Sequence, residues 1–457
     1  MHETAGVLMA GIIGIYAFDE LWRIARFVYY GLLALQHRGQ ETCGIATYDK
    51  RDLYVHASSG VVDRVFDEDL LAKLPGWAGL GHVSPQLAEA SVLQPVLVKE
   101  PVKLAFCFNG KLLNAQALAK ELRLNDANEA LVLAKLLSIS LARKDPMEAV
   151  AEAMEKAAGA YCFVALTERG EMIAARDPSG LKPMVIGSFG FDYGVVASES
   201  SAIDVVGAEF KADVAPGEAY VFTPYSIERA RLFKPRPKHC VFEYVYLARP
   251  DSIINERSIY EVRVKIGERL AKEHPVDADV VIGVPETAIP FAMAYSNATG
   301  IPISMGFVRT GPHIRSAIKP TQFERLVGVQ LKLNPIKTAI KGKRIVLIDD
   351  SVVRGNTTKN TVTLMRNKLG VKEVHVRIGS PRLIAQCPFG VEVPPRDELI
   401  AAHLNDEEVA AVVGADSFHW LSLEGLIEAV ESPKDNLCLG CFTGQYPLNE
   451  MYVRERP

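Results

Sequence analysis

The stretch KRIVLIDDSVVRGNTTKN, residues 343–360, restricts the possible folds of this chain more than any other. Residues 345–348 form a continuous aliphatic run, which is typical of a strand buried on both faces of a parallel sheet. Asp349 and Asp350 follow directly, at the carboxyl end of that strand, where open α/β sheets bind ligands. The pattern predicts an α/β domain with a polar site at the edge of its sheet.

The residues after the two acids predict a phosphate site. Gly355 precedes Asn356, Thr357 and Thr358, and the apolar spacing beyond them is typical of a helix that ends at Gly370. Backbone amides at such a loop and helix start bind phosphate, and the threonine hydroxyls add donors. Since the acids suit sugar hydroxyls, the whole stretch predicts a ribose 5-phosphate site.

A simpler interpretation of these residues is an ordinary turn followed by a capped helix. Asp, Ser and Thr are all common turn and capping residues, so an isolated acid pair would favour that interpretation. The order of strand, acids, glycine and threonine pair favours the ligand site instead.

The amino-acid composition restricts the possible fold and function less strictly than this motif does. The chain has 457 residues, 49% of them hydrophobic, which is enough for two or three ordinary cores. A net charge of -4 without a long basic run argues against a nucleic-acid surface. The apolar run 7–18 is too short for a membrane span, so we expect a cytoplasmic protein. Seven cysteines, an odd number, favour reduced thiols or metal ligands over a disulfide framework.

Hydrophobic spacing predicts further elements along the chain. They are a strand at 11–17, a helix from Leu21 to Leu35 that stops at Gly39, a βαβ unit made of strand 280–284, helix 289–298 and strand 303–308, and a strand at 374–378. The Pro-rich, charged segment 234–238 is typical of a connector between two domains.

Several stretches carry a family resemblance. The motif at 343–360 resembles the 5-phosphoribosyl 1-diphosphate (PRPP) motif of type I phosphoribosyltransferases. Nearly the whole chain resembles the amidophosphoribosyltransferase family, through YYGLLALQHRGQETCGIATYD (29–49), FNGKLLN (108–114), ARDPSGLKP (175–183), VVASESSAID (195–204), FEYVYLARPDSIIN (242–255) and GADSFHWLSLEGLIEAV (414–430).

The resemblance implies the domain organisation. An α+β Ntn-hydrolase-type αββα domain, of the class II glutamine amidotransferase kind, is expected at 10–235. An α/β type I phosphoribosyltransferase domain with a parallel sheet is expected at 236–430, followed by a tail at 431–457. Residues 1–9 correspond to a leader that the family removes, and we expect it to stay attached here.

The resemblance also implies the PRPP-binding residues. They are Asp349, Asp350, Ser351, Arg354, Gly355, Asn356, Thr357 and Thr358 in the motif, with Glu286, Thr287 and Lys332 elsewhere, and Mg²⁺ near Asp349 and Asp350. An ordinary helix entry at 285–288 and a surface lysine at 332 are the alternatives. The loop 309–322 departs from the family, with Pro312 and Ala317 in place of aromatic residues and Ile314 in place of glycine. We therefore do not expect ammonia to be channelled between the two halves of the chain.

The glutaminase half departs from the family at its chemistry. Aligned on GIIGIY, the family's N-terminal nucleophilic cysteine corresponds to Ala10, whose methyl group cannot attack an amide. The arginine expected to hold the substrate carboxylate corresponds to Ser84. The acid expected to hold the substrate amine corresponds to Ala127. We therefore predict that this half keeps the fold but not the glutaminase activity.

Two residues of that site match the family. Asn109 and Gly110 correspond to its oxyanion-hole pair, here vestigial. Without the nucleophile, a plain Asn-Gly turn is an equally good interpretation.

The cysteines fall into two groups. Cys43, Cys107 and Cys162 do not align with the nucleophile and are best interpreted as core residues. The other four match the positions that hold a [4Fe-4S] cluster in one branch of the family, and they are Cys240, Cys387, Cys438 and Cys441. Scattered core thiols are the alternative.

The function implied is a step of de novo purine synthesis. PRPP and ammonia would give 5-phosphoribosylamine and diphosphate, with ammonia taken from solution or from a glutaminase-competent paralogue in a mixed oligomer. Purine nucleotides are possible inhibitors. The alternative is a non-catalytic homologue that binds PRPP or nucleotides and regulates the active enzyme.

Overall fold

The first half of the chain contains two antiparallel sheets. The computed structural model describes residues 9–85, 92–309, 333–452 and 454–456. In chain order the strands of this half are β1 (Gly11–Ala17), β2 (Thr42–Tyr48), β3 (Leu53–Ser59), β4 (Ala78–Ser84), β5 (Val96–Val98), β6 (Leu104–Leu112), β7 (Gly159–Thr167), β8 (Met172–Arg176), β9 (Val185–Phe189), β10 (Tyr193–Ala197), β11 (Glu209–Asp213), β12 (Glu218–Phe222) and β13 (Ile227–Arg231).

Helices cover the outer faces of both sheets. They are α1 (Ala25–Ala34), α2 (Val62–Val65), α3 (Glu68–Ala72), α4 (Ala115–Glu121), α5 (Glu129–Leu141), α6 (Pro146–Lys156) and α7 (Ser200–Val205). The seven-stranded sheet has the order β11-β9-β10-β1-β4-β2-β3 and the six-stranded sheet the order β13-β12-β8-β7-β6-β5. Helices α1 and α7 pack on the first sheet, and α5 and α6 pack on the second. This arrangement is the predicted αββα architecture.

Close contact between the two sheets requires a small residue in β1. A side-chain carbon added at Gly14 would lie 2.7 Å from Val164 of β7 and 3.0 Å from Met172 of β8. Real side-chain carbons do not approach that closely, so glycine lets the central strand of the first sheet touch the second sheet. The contact places the residue before β1 next to β6, where the N-terminal site lies.

The second half of the chain contains a parallel sheet. Its elements, with those of the tail, are β14 (His239–Cys240), β15 (Ile253–Ile254), β16 (Arg257–Ser258), α8 (Ile259–Glu273), β17 (Val280–Gly283), α9 (Ile289–Thr299), β18 (Phe307–Val308), β19 (Asn334–Pro335), α10 (Lys337–Ile340), β20 (Arg344–Asp349), α11 (Asn356–Leu369), β21 (Glu373–Ile378), α12 (Asp406–Val413), β22 (Ser417–Trp420), α13 (Leu423–Val430), β23 (Leu437–Cys438) and α14 (Gly440–Thr443).

The parallel sheet is buried on both faces, as its aliphatic strand predicted. Its order is β17-β20-β21-β22. Ile345 and Leu347 of β20 pack in a core with α11, whereas Val346 and Ile348 pack in a second core with α8 and α9. Alternate residues of one strand thus serve two cores, which explains the absence of polar residues within the run.

Several predicted elements are confirmed and one boundary is wrong. The strand at 11–17, the strand at 374–378 and the helix ending at Gly370, which has φ 62°, are confirmed. The first helix does not begin at Leu21, which is 83% exposed, because Asp19 accepts the backbone N–H of Leu21 at 2.9 Å in a local turn. It ends at Ala34 and a 3-10 turn, Gln36–Arg38, carries the chain to an extended Gly39.

The predicted strand at 303–308 is also wrong. Ile303 makes only an isolated parallel bridge with Val281, and Phe307–Val308 instead pairs with Asn334–Pro335. Val281 makes two backbone hydrogen bonds with this segment, donating to the Pro302 carbonyl at 2.9 Å and accepting from the Ser304 N–H at 3.0 Å. Beyond them Gly306 lies against Ile282, where an added side-chain carbon would be 2.4 Å away. Among the described helices, none is long and apolar enough to cross a membrane.

A buried ion network joins the two halves of the chain. Arg38 donates to Glu199 at 2.6 Å and, with its other terminal nitrogen, to Glu243 at 2.8 Å. Glu243 begins a π-helical turn, Glu243–Leu247, that follows the connector. All three side chains are at most 1% exposed. Burial opposes the charge, but Glu243 and Glu199 raise the pKa of Arg38 above its ordinary value, so the network stays ionised.

Replacing Arg38 with Met should destabilise the protein strongly. The change leaves Glu199 and Glu243 buried without their cation, and breaking a buried pair costs about 3–5 kcal/mol. Urea unfolding measures the loss. Arg26→Met is the control, because Arg26 pairs with Glu68 on the surface and such pairs are worth about 0–1 kcal/mol. Equal losses in the two variants would contradict the role given to the buried network.

Candidate active sites

Two adjacent carboxylates lie at the carboxyl end of the parallel sheet. Asp349 is the last residue of β20, and the backbone N–H of Asp350 donates to its Oδ1 at 2.9 Å. The Ser351 hydroxyl donates to Asp350 Oδ1 at 2.7 Å. Ser351, predicted as a ligand contact, therefore holds the orientation of one acid in this structure.

Burial and mutual repulsion set the charge of the acid pair. Burial, with the neighbouring charge of Asp350, raises the pKa of Asp349 well above its ordinary value. Burial also raises the pKa of Asp350 to about 6, although the Ser351 hydroxyl and the guanidinium of Arg263 oppose the rise. Two carboxylates in contact cannot both ionise easily, so the pair favours a cation or hydroxyl donors beside it.

The loop that precedes α11 has the predicted backbone form. Gly355 has φ 78° and directly precedes α11, and no side chain of the described residues caps that helix. The backbone amides of Asn356 and Thr357 thus begin a helix without a competing side-chain acceptor, as an anion site requires. Thr358 is buried, and Arg354 donates to Glu398 at 2.6 Å.

The loop after β17 lies at the same edge of the sheet. β17 and β20 are parallel neighbours, and Val284 donates its backbone N–H to Ile348 at 2.8 Å. Glu286 and Thr287 therefore follow one strand where the acid pair follows the next. The Glu286 side chain is 80% exposed and lies 3.9 Å from Arg309. Lys332, Pro312, Ile314 and Ala317 lie outside the described residues.

Sequence reasoning missed two side chains whose charges interact with Asp350, the buried Arg263 and the partly buried Tyr246. Arg263 of α8 is 1% exposed and donates to the carbonyls of Tyr244 at 3.0 Å and Ala248 at 2.7 Å. Tyr246 lies in the turn between those carbonyls, and burial together with Asp350 raises its pKa. The sequence signal that could have identified Arg263 is its place on the apolar face of helix α8.

A second site lies between the two halves of the chain. A cavity of about 440 Å³ is lined on one side by residues of the first half and on the other by the segment 386–392. The structure brings Ala10, Ser84, Asn109 and Gly110 together here, as predicted. Ala127 is not in its lining, but the neighbouring Glu129 is.

Asn109 and Gly110 form part of a strand, so the alternative of a plain Asn-Gly turn is wrong. Both lie in β6, where they pair with Cys162 and Tyr161 of β7. Gly110 has φ 152°, and an added side-chain carbon would lie 2.3 Å from the Ala160 carbonyl oxygen, so only glycine fits. Asn109 is 1% exposed.

Ala10, predicted to correspond to the family's nucleophile, is held by hydrogen bonds to the segment around Arg38. The Ala10 carbonyl accepts from Arg38 Nε at 3.1 Å, and the N–H of Met9 donates to the Arg38 carbonyl at 3.2 Å. Met9 is 1% exposed, and its sulfur accepts from Lys182 Nζ at 2.6 Å. Ala10 and Asn109 thus line the same cavity, and the residue before Ala10 is packed in the core.

Four cysteines meet where the tail joins the connector. Cys240 is the register partner of Cys438 in the β14–β23 pair. The Cys441 carbonyl accepts the N–H of Ile384 at 2.9 Å, which holds the segment leading to Cys387. Burial, then the neighbouring Glu243 and thiols, raises the pKa of Cys240, and burial raises the pKa of Cys438 to about 12.

The other three cysteines are core residues, as predicted. Cys43, Cys107 and Cys162 are at most 1% exposed. Burial raises the pKa of Cys107 well above its ordinary value, so its thiol stays neutral.

Comparisons with known proteins agree with this geometry. Residues 84–205 match the family model of a glutamine amidotransferase domain. An amidophosphoribosyltransferase of Methanocaldococcus jannaschii is 39% identical over 466 residues, which cover 96% of this chain and 98% of that protein. Its counterpart from Methanothermobacter thermautotrophicus is 41% identical over 448 residues, covering 96% and 94% of the two chains.

Solved structures show the same fold. A glutamine PRPP amidotransferase from B. subtilis, complexed with ADP and GMP, has a TM-score of 0.86 and 37% identity, covering 96% of this chain and 97% of its own. A structure described as the allosteric regulatory enzyme of purine biosynthesis has a TM-score of 0.87 and 36% identity, covering 96% of each chain.

Acidification should destabilise the protein through His82, which lies behind Asn109. His82 Nε2 is 3.1 Å from the Phe108 carbonyl, and burial lowers the pKa of His82 from 6.5 to about 4. The unfolded chain therefore takes up this proton first, so the stability is complete above pH 6.5 and falls as the pH approaches 4.

Urea unfolding near pH 7 and near pH 5 measures this loss. His82→Gln should lose less stability than the unchanged protein, by about 2 kcal/mol over that interval. A variant as sensitive to acid as the unchanged protein would exclude His82 as the source.

Proposed function

Since this chain belongs to the amidophosphoribosyltransferase family, we propose that its second half converts PRPP and ammonia into 5-phosphoribosylamine and diphosphate, as a step of de novo purine synthesis. The observation that carries the proposal is the half-buried acid pair, Asp349 and Asp350, beside the loop that precedes α11. A paired acid site next to an open helix start matches a ligand with both sugar hydroxyls and a phosphate.

The proposed reaction breaks the bond between C1 of the ribose and the diphosphate oxygen and forms a bond from C1 to the ammonia nitrogen. Ammonia releases one proton and diphosphate leaves with the electron pair. Asp349 and Asp350 would accept hydrogen bonds from the ribose hydroxyls, and the backbone amides of Asn356 and Thr357 would hold the 5-phosphate. Placement of the two reactants supplies most of the rate, because neutral ammonia needs no strong base.

Diphosphate would lie at the loop after β17. Backbone donors around Glu286 and Thr287 suit its oxygens, and Lys332 is proposed to add positive charge. Asp349 and Asp350 are the residues that would hold Mg²⁺, which, when bound, would neutralise diphosphate charge. Their raised pKa values fit a cation at that position. Arg354, paired with Glu398, would have to turn to reach the ligand.

We propose that the first half has lost its glutaminase activity. Ala10 lacks a nucleophilic atom, and Ser84 carries no charge to bind a substrate carboxylate. Ammonia would then come from solution or from a glutaminase-competent partner subunit in an oligomer. Purine nucleotides remain proposed inhibitors, since the similar B. subtilis enzyme was solved with ADP and GMP.

The domain boundaries are part of the proposal. We place the leader at 1–9, the amidotransferase-like domain at 10–235, the transferase domain at 236–430 and the tail at 431–457. In support, β13 ends at Arg231 and the first strand of the parallel sheet begins at Val280.

We also propose a [4Fe-4S] cluster on Cys240, Cys387, Cys438 and Cys441. The donor set fits, because Cys387 lies close enough to Cys240, Cys438 and Cys441 to add to the rise that burial causes in the pKa of each, and Cys240 and Cys438 are register partners. Among the described residues, no group of three or more His, Cys, Asp or Glu could hold a metal ion. That finding concerns ligands around one ion, whereas a four-iron cluster takes one thiolate on each iron.

PRPP consumption tests the transferase proposal. With Mg²⁺ present, we expect turnover with ammonium chloride and none with glutamine or without a nitrogen source. Replacing Asp349 and Asp350 with Asn should lower turnover at least about a hundredfold, since it removes the charges that orient the sugar. PRPP binding without turnover would favour the regulatory alternative, and turnover with glutamine would contradict the loss of glutaminase.

A matched acid pair serves as the control. Asp277 and Asp279 lie at the opposite end of β17, where both contact Arg344. Replacing them with Asn should leave turnover with ammonium nearly unchanged. A similar loss in this control would mean that the effect reflects folding rather than the site.

Iron analysis tests the cluster proposal. The protein purified without oxygen should contain about four irons per chain. Cys438→Ser should lose them, whereas Cys162→Ser, a buried core thiol in β7, should keep them. Absence of iron even after anaerobic reconstitution would contradict the proposal.

A further inference from the structure

One lysine is fully buried near the junction of the two halves of the chain. Lys182 lies in the segment that follows β8, and its exposed fraction is 0%. Among the described residues, its Nζ has one hydrogen-bond acceptor, the Met9 sulfur at 2.6 Å, and it forms no ion pair with a carboxylate. A buried ammonium is costly unless an anion balances it, and a thioether carries no charge.

The carboxylate whose charge acts on Lys182 already has a partner. That carboxylate is Glu243. Both of its oxygens accept hydrogen bonds from the Arg38 guanidinium, at 2.8 and 3.1 Å. The positive charge of Arg38 also acts against that of Lys182. Glu243 therefore balances Arg38, and the Lys182 ammonium requires a different anion.

The other groups that act on Lys182 are cysteines. Burial lowers the pKa of Lys182, and Cys387 and Cys240 act in the opposite direction. The interaction is mutual, because burial raises the pKa of Cys240 and Cys438 whereas Lys182 lowers both. Lys182 thus lies close to three of the four proposed cluster ligands.

Backbone hydrogen bonds hold the segment of Lys182 against the connector. The N–H of Lys238 donates to the Ser179 carbonyl at 2.7 Å, two residues before Cys240. At the other end of the segment, Arg176 Nε donates to the Lys182 carbonyl at 2.8 Å. The backbone that carries the ammonium is therefore fixed beside the chain that carries the first cysteine.

We propose that the Lys182 ammonium balances the negative charge of the cluster and raises its reduction potential. This inference rests on the proposed cluster. Four thiolate ligands give a bound cluster a net negative charge, and one-electron reduction increases it without breaking a bond to the chain. The electron comes from an external reductant such as dithionite.

The surroundings make such a cation effective. Met9, Cys240, Cys438 and Cys441 belong to one apolar core. Charges interact more strongly there than in water, because the local dielectric constant is low. A fixed cation therefore stabilises the reduced cluster more than the oxidised one, and net charge and hydrogen bonds to sulfur are known to set cluster potentials.

Redox titration of the anaerobically purified full chain with dithionite, followed by EPR spectroscopy, tests the inference. Lys182→Met keeps the length of the side chain and removes its charge. It should disfavour the reduced cluster at least about tenfold, which is about 59 mV for a one-electron couple. Lys182→Arg keeps the charge and should stay near the unchanged protein. An unchanged potential in Lys182→Met would overturn the inference.

Lys238→Met is the matched control. The charge of Lys238 also acts on Cys438, but the residue is half-buried and its Nζ donates to the Asp435 carbonyl at 2.7 Å. Because water screens this ammonium, its removal should shift the potential clearly less. An equal shift in the two variants would mean that any nearby positive charge suffices, and would overturn the particular role of Lys182.

A measurement on protein with Lys182 intact keeps the test decisive if Lys182→Met folds poorly. Lysine isotope-labelled only at its side-chain nitrogen leaves the backbone amides unlabelled. Pulsed EPR of the reduced cluster should then detect coupling to a lysine nitrogen, and the coupling should persist in Lys238→Met. Absence of that coupling would overturn the inference.

Iron content separates this inference from the proposed cluster. No iron in the unchanged protein after anaerobic reconstitution would overturn both. Iron in the unchanged protein and in Lys182→Met, with equal potentials, would overturn only the role of Lys182. Loss of iron from Lys182→Met but not from Lys182→Arg would support that role, because the cluster would then need the charge to stay bound.

Discussion

The fold depends on one buried guanidinium. Arg38 satisfies Glu199 of the first half and Glu243 of the second, and its Nε holds the carbonyl of Ala10. Glu199 in turn accepts from the Ser252 hydroxyl at 2.7 Å. A charged group this deep is tolerated only because every partner is present. The relative placement of the two halves, and the position of Ala10 before β1, therefore depend on the same side chain.

The two sites differ in which of their predicted features are present. At the parallel sheet the acid pair, the left-handed Gly355 and the open start of α11 remain together. At the N-terminal cavity the strand that carries Asn109 and Gly110 is present, and the residue before β1 is Ala10, which has no nucleophilic atom. Scaffold and chemistry are separable, because strand pairing fixes the backbone whereas one side chain supplies the reaction.

The features that could be predicted from the sequence are those that depend on residues close together in the chain. The aliphatic run of β20 and its two acids were predictable because a strand buried on both faces excludes polar residues. The partners of Arg38 were not predictable from the sequence, since Glu199 and Glu243 are 161 and 205 residues away along the chain. The start of α1 depended on a side-chain turn at Asp19, and the path at Gly306 on contact with Ile282. Neither is visible in hydrophobic spacing.

The shared wall of the N-terminal cavity limits how this chain could be shortened. One side belongs to the first half and the other to the segment 386–392, which also contains Cys387. A gene encoding only the transferase half would expose that wall and the apolar core around Val241 and Phe242, and would leave Glu243 without its cation. The first half therefore supports the fold of the second half whether or not it carries out a reaction of its own.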